Sequence, residues 1–207
     1  TQATRATRHQ PDFGHGRFVA PRTGEVASRA MRTVALAVLL AATAVSPSAL
    51  AIQADSAGWY HTGDAVRQKK VLFVTADVYQ VGHDMKCVVP HSKQAVIDAD
   101  CDKKFTWKML RSVGNGKIVD AMREAYATNG YRDGGKINQA MGAFNSEFKD
   151  GAYVKISYDS NAKATTFWEQ GGGTATVPGV DFMKATWSIW FGKIDPPSIG
   201  DKPIANL

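Results

Sequence analysis

The sequence predicts an α+β domain built on an antiparallel β-sheet. Three observations carry this: extended segments come as turn-linked hairpins, two helical patterns stand together mid-chain, and one more follows the last strands. Strands alternating singly with helices, which would mark a parallel sheet, do not occur.

From Lys69 the chain reads KKVLFVTADVYQV, rich in β-branched and aromatic residues and bounded by Gly82. This is a long strand, or two strands joined at a bend. Residues 83–102 are polar and read as a loop carrying both cysteines, Cys87 and Cys101. KFTWKMLRSV then alternates, with Phe105, Trp107 and Met109 on one side and Thr106, Lys108 and Leu110 on the other, as a half-buried strand does.

The period changes in GNGKIVDAMREAYATNGY, where Ile118, Met122 and Tyr126 share one helical face and Asn129-Gly130 supplies a stop. KINQAMGAFNSEF spaces Ile137, Met141, Phe144 and Phe148 by four, three and four, predicting a second amphipathic helix that pairs with the first. Asp150-Gly151 turns the chain into AYVKISYD, with Val154, Ile156 and Tyr158 facing inward. SNAK is a turn, ATTFWEQ the returning strand, and Gly171-Gly172-Gly173 leads to a short strand near Thr174–Val177. Asp181 is placed as the cap of a final helix beginning at Phe182. In that helix Phe182, Ala185, Thr186 and Ile189 form one stripe, and Met183, Trp187 and Trp190 an adjacent one. Two apolar stripes give a helix buried on a broad face.

The net charge of +6 is unevenly spread. Residues 1–51 hold six Arg, no Lys and two acids, which leaves 19 bases against 17 acids in the remainder. That balance is not the footprint of a nucleic-acid surface. MRTVALAVLLAATAVSPSALA, residues 31–51, has the three parts of a signal peptide: Arg32, an apolar run from Val34 to Val45, and Ala49-Leu50-Ala51 as the cleavage site. Residues 1–30 are read as an upstream or disordered extension, and 52–207 as a single domain of an exported, periplasmic or secreted protein cleaved after Ala51. No other stretch is apolar and long enough for a stable membrane span. In an oxidising compartment Cys87 and Cys101 are expected to form a disulfide, worth about 3 kcal/mol in the chain-entropy model.

No Gly-x-Ser-x-Gly elbow, phosphate-binding Gly-x4-Gly-Lys loop or His-Glu-x-x-His pair is present, and no cofactor is expected. His83, Asp84, Cys87 and His91 have metal-ligand character. Pro90 breaks any helix that would align them, and the Asp98/Asp100/Asp102 run lacks a calcium loop's Gly and closing Glu. No metal site is assigned. Arg67, in HTGDAVRQKK at the root of the long strand, is suited to a carboxylate through paired charge-assisted bonds; a structural Arg is the plainer reading.

Three pieces in this order resemble the chalcone isomerase-like family, particularly its exported bacterial members. They are Gly63 to Arg67 feeding a strand that reaches Val78-Tyr79; FTWKMLRSVGNGKIVDAMREAY; and FKDGAYVKISYD followed by VDFMKATWSIWFGKIDPP. The resemblance implies an open-faced antiparallel sheet with helices packed on one face and a cleft between the layers. Some relatives isomerise chalcones; others hold fatty acids without catalysis, the family Arg meeting the carboxylate. Arg67 is the matching position. Thr75 matches the family's hydroxyl residue only with a one-residue shift, the unshifted position being Val74. Where the catalytic branch has Tyr and Asn, alignment on Lys117 gives Gly114 and Ala121. The expectation is an exported, non-catalytic binding protein for a fatty acid or similar hydrophobic carboxylate. Arg67, Thr75, Tyr79, Met183 and Trp187 are its candidate ligand-binding residues. The alternative is an isomerase or lyase acting on a small hydrophobic substrate.

Overall fold

The structure, a computed structural model, describes residues 52–71 and 73–207. The extension at 1–30 and the signal-type segment at 31–51 lie outside the described residues. Six strands form one sheet in chain order: β1 Tyr60–Val71, β2 Val74–Met85, β3 Lys103–Met109, β4 Tyr153–Asp159, β5 Ala164–Glu169 and β6 Thr174–Pro178. Every neighbouring pair is antiparallel. The helices are α1 Lys93–Asp98, α2 Asn115–Thr128, α3 Gly134–Met141, α4 Val180–Phe191 and α5 Ser198–Asp201.

Strand alternation decides which face is covered. Phe105, Trp107 and Met109 on β3, Val154, Ile156 and Tyr158 on β4, and Phe167 on β5 are buried on one side. Lys108 and Lys155, on the other side, are exposed. Helices therefore pack on a single face, and the sheet is open on the other. The α4 helix lies across this face: Phe105 touches Trp187 and Trp190 at ring-centroid distances of 5.2 and 4.4 Å. Each aromatic side chain so buried contributes roughly 1.5–3 kcal/mol of transfer free energy. Both predicted stripes of α4 are buried, so the two tryptophans belong to the core.

Several local expectations change. The long extended segment is the β1–β2 hairpin, its last pair being Val71 with Val74. The polar loop contains α1, begun by Ser92, whose side chain accepts from the Ala95 amide. The second helical pattern stops at Met141, and Phe144 and Phe148 reach the core from irregular chain; Phe148 bridges Val113. The expected pairing of α2 with α3 gives way to α2 against α4 and α3 against β6. Helix α4 starts after Gly179, and Asp181 sits inside its first turn instead of capping it. The Asp181 carboxylate takes Lys136 at 2.9 Å and the Tyr131 hydroxyl at 3.1 Å.

Two constraints tie the sheet's first strands to the rest. Gly63 has φ +148, and a side chain there would collide with the Lys202 carbonyl, so the C-terminal segment runs directly against β1. Cys87 and Cys101 are joined, closing the connection between β2 and β3 around α1. Replacing both cysteines by serine should lower stability by about 2–4 kcal/mol in urea unfolding. Unchanged stability would mean that α1 and its contacts hold this connection without the bond.

Candidate functional site

An open cleft of about 500 Å³ lies between the sheet and the helical layer. Its floor is strand-borne: Arg67 and Lys69 from β1, Tyr79 from β2 and Trp107 from β3. Ile118, Met122 and Ala125 of α2 form the opposite wall. The C-terminal end of α4 contributes Ile189 and Trp190, and the chain beyond it adds Lys193, Ile194 and Asp195. The volume falls in the range of small-molecule sites, roughly 300–1,000 Å³.

Register explains why Arg67 and Tyr79 meet. They are cross-strand partners, and the next pair is Gln68 with Asp77, which leaves Val78 as an extra residue on β2. A bulge of this kind twists the hairpin where it leaves the sheet, at the cleft mouth. The Tyr79 ring stacks on Trp107 at 4.6 Å with an interplanar angle of 11°. Its hydroxyl is 3.4 Å from the Trp190 indole nitrogen, which donates to it. Burial pushes the Tyr79 pKa up against the opposing effects of Trp190 and Arg67, so the hydroxyl stays protonated and can donate. Arg67, half-buried, donates through one Nη to the Asp195 carbonyl. A guanidinium has five N–H donors, so this contact leaves donors for a ligand. The buried indole nitrogen of Trp107, in the cleft floor, has no hydrogen-bond partner.

Of the five candidate ligand-binding residues, the structure brings two to the cleft, Arg67 and Tyr79. Thr75 lies opposite Lys70 near the hairpin tip, exposed and four residues beyond Tyr79. Met183 and Trp187 are wholly buried and belong to the core. Trp190 shares their stripe but stands about a turn or more farther along, and it is only the C-terminal end of α4, with Ile189 and Trp190, that reaches the cleft. The residues missed were those of α2. Their apolar stripe is plain in the sequence, but nothing there says that this helix lies over Arg67.

Trp187 serves a different arrangement. Its indole nitrogen donates to His83 Nε2 at 2.9 Å, which makes Nδ1 the protonated nitrogen. His83 Nδ1 lies 2.6 Å from Thr62 Oγ1, and the Thr62 hydroxyl can donate to the Pro203 carbonyl at 2.6 Å. One buried chain thus links α4, β2, β1 and the C-terminal turn. Burial first, and the Lys103 charge second, depress the His83 pKa well below 6.5. Lys103 is equally hidden: its Nζ donates to the carbonyls of Val96 and Ile97 at 2.7 and 3.1 Å and lies 4.9 Å from the Trp187 ring. Burial lowers its pKa to about 7. Within residues 83–102, His83 is therefore used in the core and the two cysteines in a disulfide, while His91 is exposed. Among the described residues no three metal-ligating side chains converge.

The family model for chalcone isomerase-like proteins matches residues 48–197. The chain belongs to the chalcone isomerase-like family. No curated protein matches it by sequence. Among solved structures it is similar to a fatty-acid binding protein of Arabidopsis thaliana, with TM-score 0.60 and 12% identity over 74% of this chain and 90% of that one. At that identity the likeness shows a common fold. This chalcone isomerase-like chain thus has the open-faced sheet that the resemblance implied, and α4 carries the first part of its closing motif.

The state of His83 carries a pH dependence. Its folded pKa is depressed, so the unfolded chain takes up a proton first as pH falls through 6.5, and stability declines below that value. His61 works in the opposite sense, because its bonds to Asp84 and Asp64 outweigh burial and raise its pKa. His83→Gln should be less stable at pH 7 yet show a flatter fall between about pH 6.5 and 5 in urea titrations. An identical slope in the two proteins would mean that His83 is not held neutral.

Proposed function

We propose that this protein binds a fatty acid or similar apolar carboxylate in the cleft, with Arg67 meeting the carboxylate and no chemical step following. The observation that carries the reading is the placement of Arg67 at the mouth of a cleft walled by Tyr79, Trp107, Met122 and Trp190. A carboxylate there would take two donors from the guanidinium and a third from the Tyr79 hydroxyl. An acyl chain would run between the stacked Tyr79–Trp107 pair and α2. The Arabidopsis thaliana protein of the same fold is itself a fatty-acid binding protein, which supports this ligand class.

Catalysis would need polar groups that orient a reacting substrate and meet developing charge. The positions aligned with the family's catalytic Tyr and Asn are Gly114 and Ala121, and Ala121 lines the cleft. Export is part of the proposal: the segment at 31–51 has the order of a signal peptide, and the Cys87–Cys101 bond suits an oxidising compartment.

Titration of palmitate into the purified protein tests the reading. Arg67→Ala should weaken binding by roughly ten- to a hundredfold, the effect of losing a hydrogen bond to a charged group. Methyl palmitate should bind the unaltered protein with a similar loss. Absence of palmitate binding, or equal affinity in Arg67→Ala, would overturn the proposal. A second variant, Ala125→Trp, fills the α2 wall and should abolish binding while leaving Arg67 in place.

A further inference from the structure

The β1–β2 hairpin extends past the rest of the sheet. β2 pairs with β3 only from Tyr79 to Met85, whereas its pairing with β1 continues to Val71 and Val74. Residues 68–71 and 74–77 therefore pair as a two-stranded arm beyond the edge of β3. Its tip is chemically unusual. Phe73 is 98% exposed and Val74 68%, the two most exposed large apolar side chains among the described residues. In sequence they follow Lys69-Lys70-Val71-Leu72, and both lysines are exposed. The acid on the arm, Asp77, is held by the Gln68 side chain at 2.7 Å. At the arm's root stand Arg67 and Lys69, which line the cleft.

We propose that this tip is a docking element for an anionic lipid surface. An aromatic side chain standing in water at the end of a narrow arm gains by entering the apolar boundary of a bilayer. Lysines just behind it gain from anionic head groups. Apolar tip and basic collar occur here in that order along the arm. A second copy of the chain fits less well. A stable interface needs about 800 Å² on each partner, and two side chains at a hairpin tip present far less apolar surface. A bilayer needs no complementary shape, only a wedge that enters it. The bulge at Val78 lies between arm and sheet, so docking would hold the cleft mouth beside the lipid. This inference goes beyond ligand binding, and it is tested without any ligand.

The chain from Ile52 onward contains the core found among the described residues, from Ala65 to Ile204, and avoids the apolar segment at 31–51. Flotation of this protein with phosphatidylcholine vesicles, with and without about half phosphatidylglycerol, measures the interaction directly. Binding is expected on the anionic vesicles and should weaken as salt rises. Phe73→Ser with Val74→Ser should reduce the bound fraction about tenfold. Lys69→Glu with Lys70→Glu should reduce it by at least roughly fivefold per lysine. Both pairs are exposed, so thermal unfolding should not move, and palmitate affinity should survive Phe73→Ser with Val74→Ser. Failure of palmitate binding alone would leave this inference standing. No binding to anionic vesicles, or equal binding by the tip variants, overturns it. So does a concentration-dependent dimer in sedimentation that the tip variant abolishes, because the tip would then be a protein contact.

Discussion

The buried hydrogen-bond chain from Trp187 through His83 and Thr62 to Pro203 is the constraint on which the cleft depends. It fixes the middle of α4 to β2 and, through the extra residue Thr62, to the edge strand and the C-terminal turn. With its centre held there, the helix can only end over the root of the β1–β2 hairpin. Trp190 and Ile189 then reach the cleft, and the chain that leaves α4 brings the Asp195 carbonyl to Arg67. A neutral histidine suits this position because it accepts from an indole and donates to a hydroxyl at once. An apolar residue of the same size would leave the buried Trp187 indole N–H without an acceptor.

Lys103 does related work on the other side of Trp187. A buried ammonium is costly unless its protons are satisfied, and here the carbonyls of Val96 and Ile97 near the end of α1 take two of them. Lys184 on α4 reaches Asp98 of α1 at 2.7 Å. The disulfide, α1 and Lys103 thus form one support beneath α4. Sheet, helix and cleft are consequences of the same packing, and the candidate ligand-binding residues Arg67 and Tyr79 sit at its margin, where α4 ends and the hairpin leaves the sheet.

Much of this was legible in the sequence, for a physical reason. Alternation in Phe105, Trp107 and Met109 reports a surface that must face a core, and the spacing of Ile118, Met122 and Tyr126 reports a helical one. Arg67 could be named only because the family motif marks the place; from its residues alone a structural Arg is the plainer reading. What stayed hidden depended on partners distant in sequence. His83 and Lys103 look like loop and surface residues by polarity, and their burial becomes tolerable only beside Trp187, Thr62 and the α1 carbonyls. The second helical pattern runs on past the helix's end at Met141 because Phe144 and Phe148 reach the core from irregular chain at helical spacing. Met183 and Trp187 read as cleft residues because both stripes of α4 are apolar, and composition cannot say which end of a buried helix overlies an opening.

The central claim is that the Arg67 guanidinium meets a ligand carboxylate in this cleft. The direct measurement is a carbon-13 NMR pH titration of carboxyl-labelled palmitate bound to the protein, compared with the same ligand saturating Arg67→Gln. The account predicts a bound carboxyl signal whose pKa is lower in the unaltered protein by about one unit or more, because a neighbouring cation favours the charged form. A bound carboxyl that titrates identically in both proteins would contradict it.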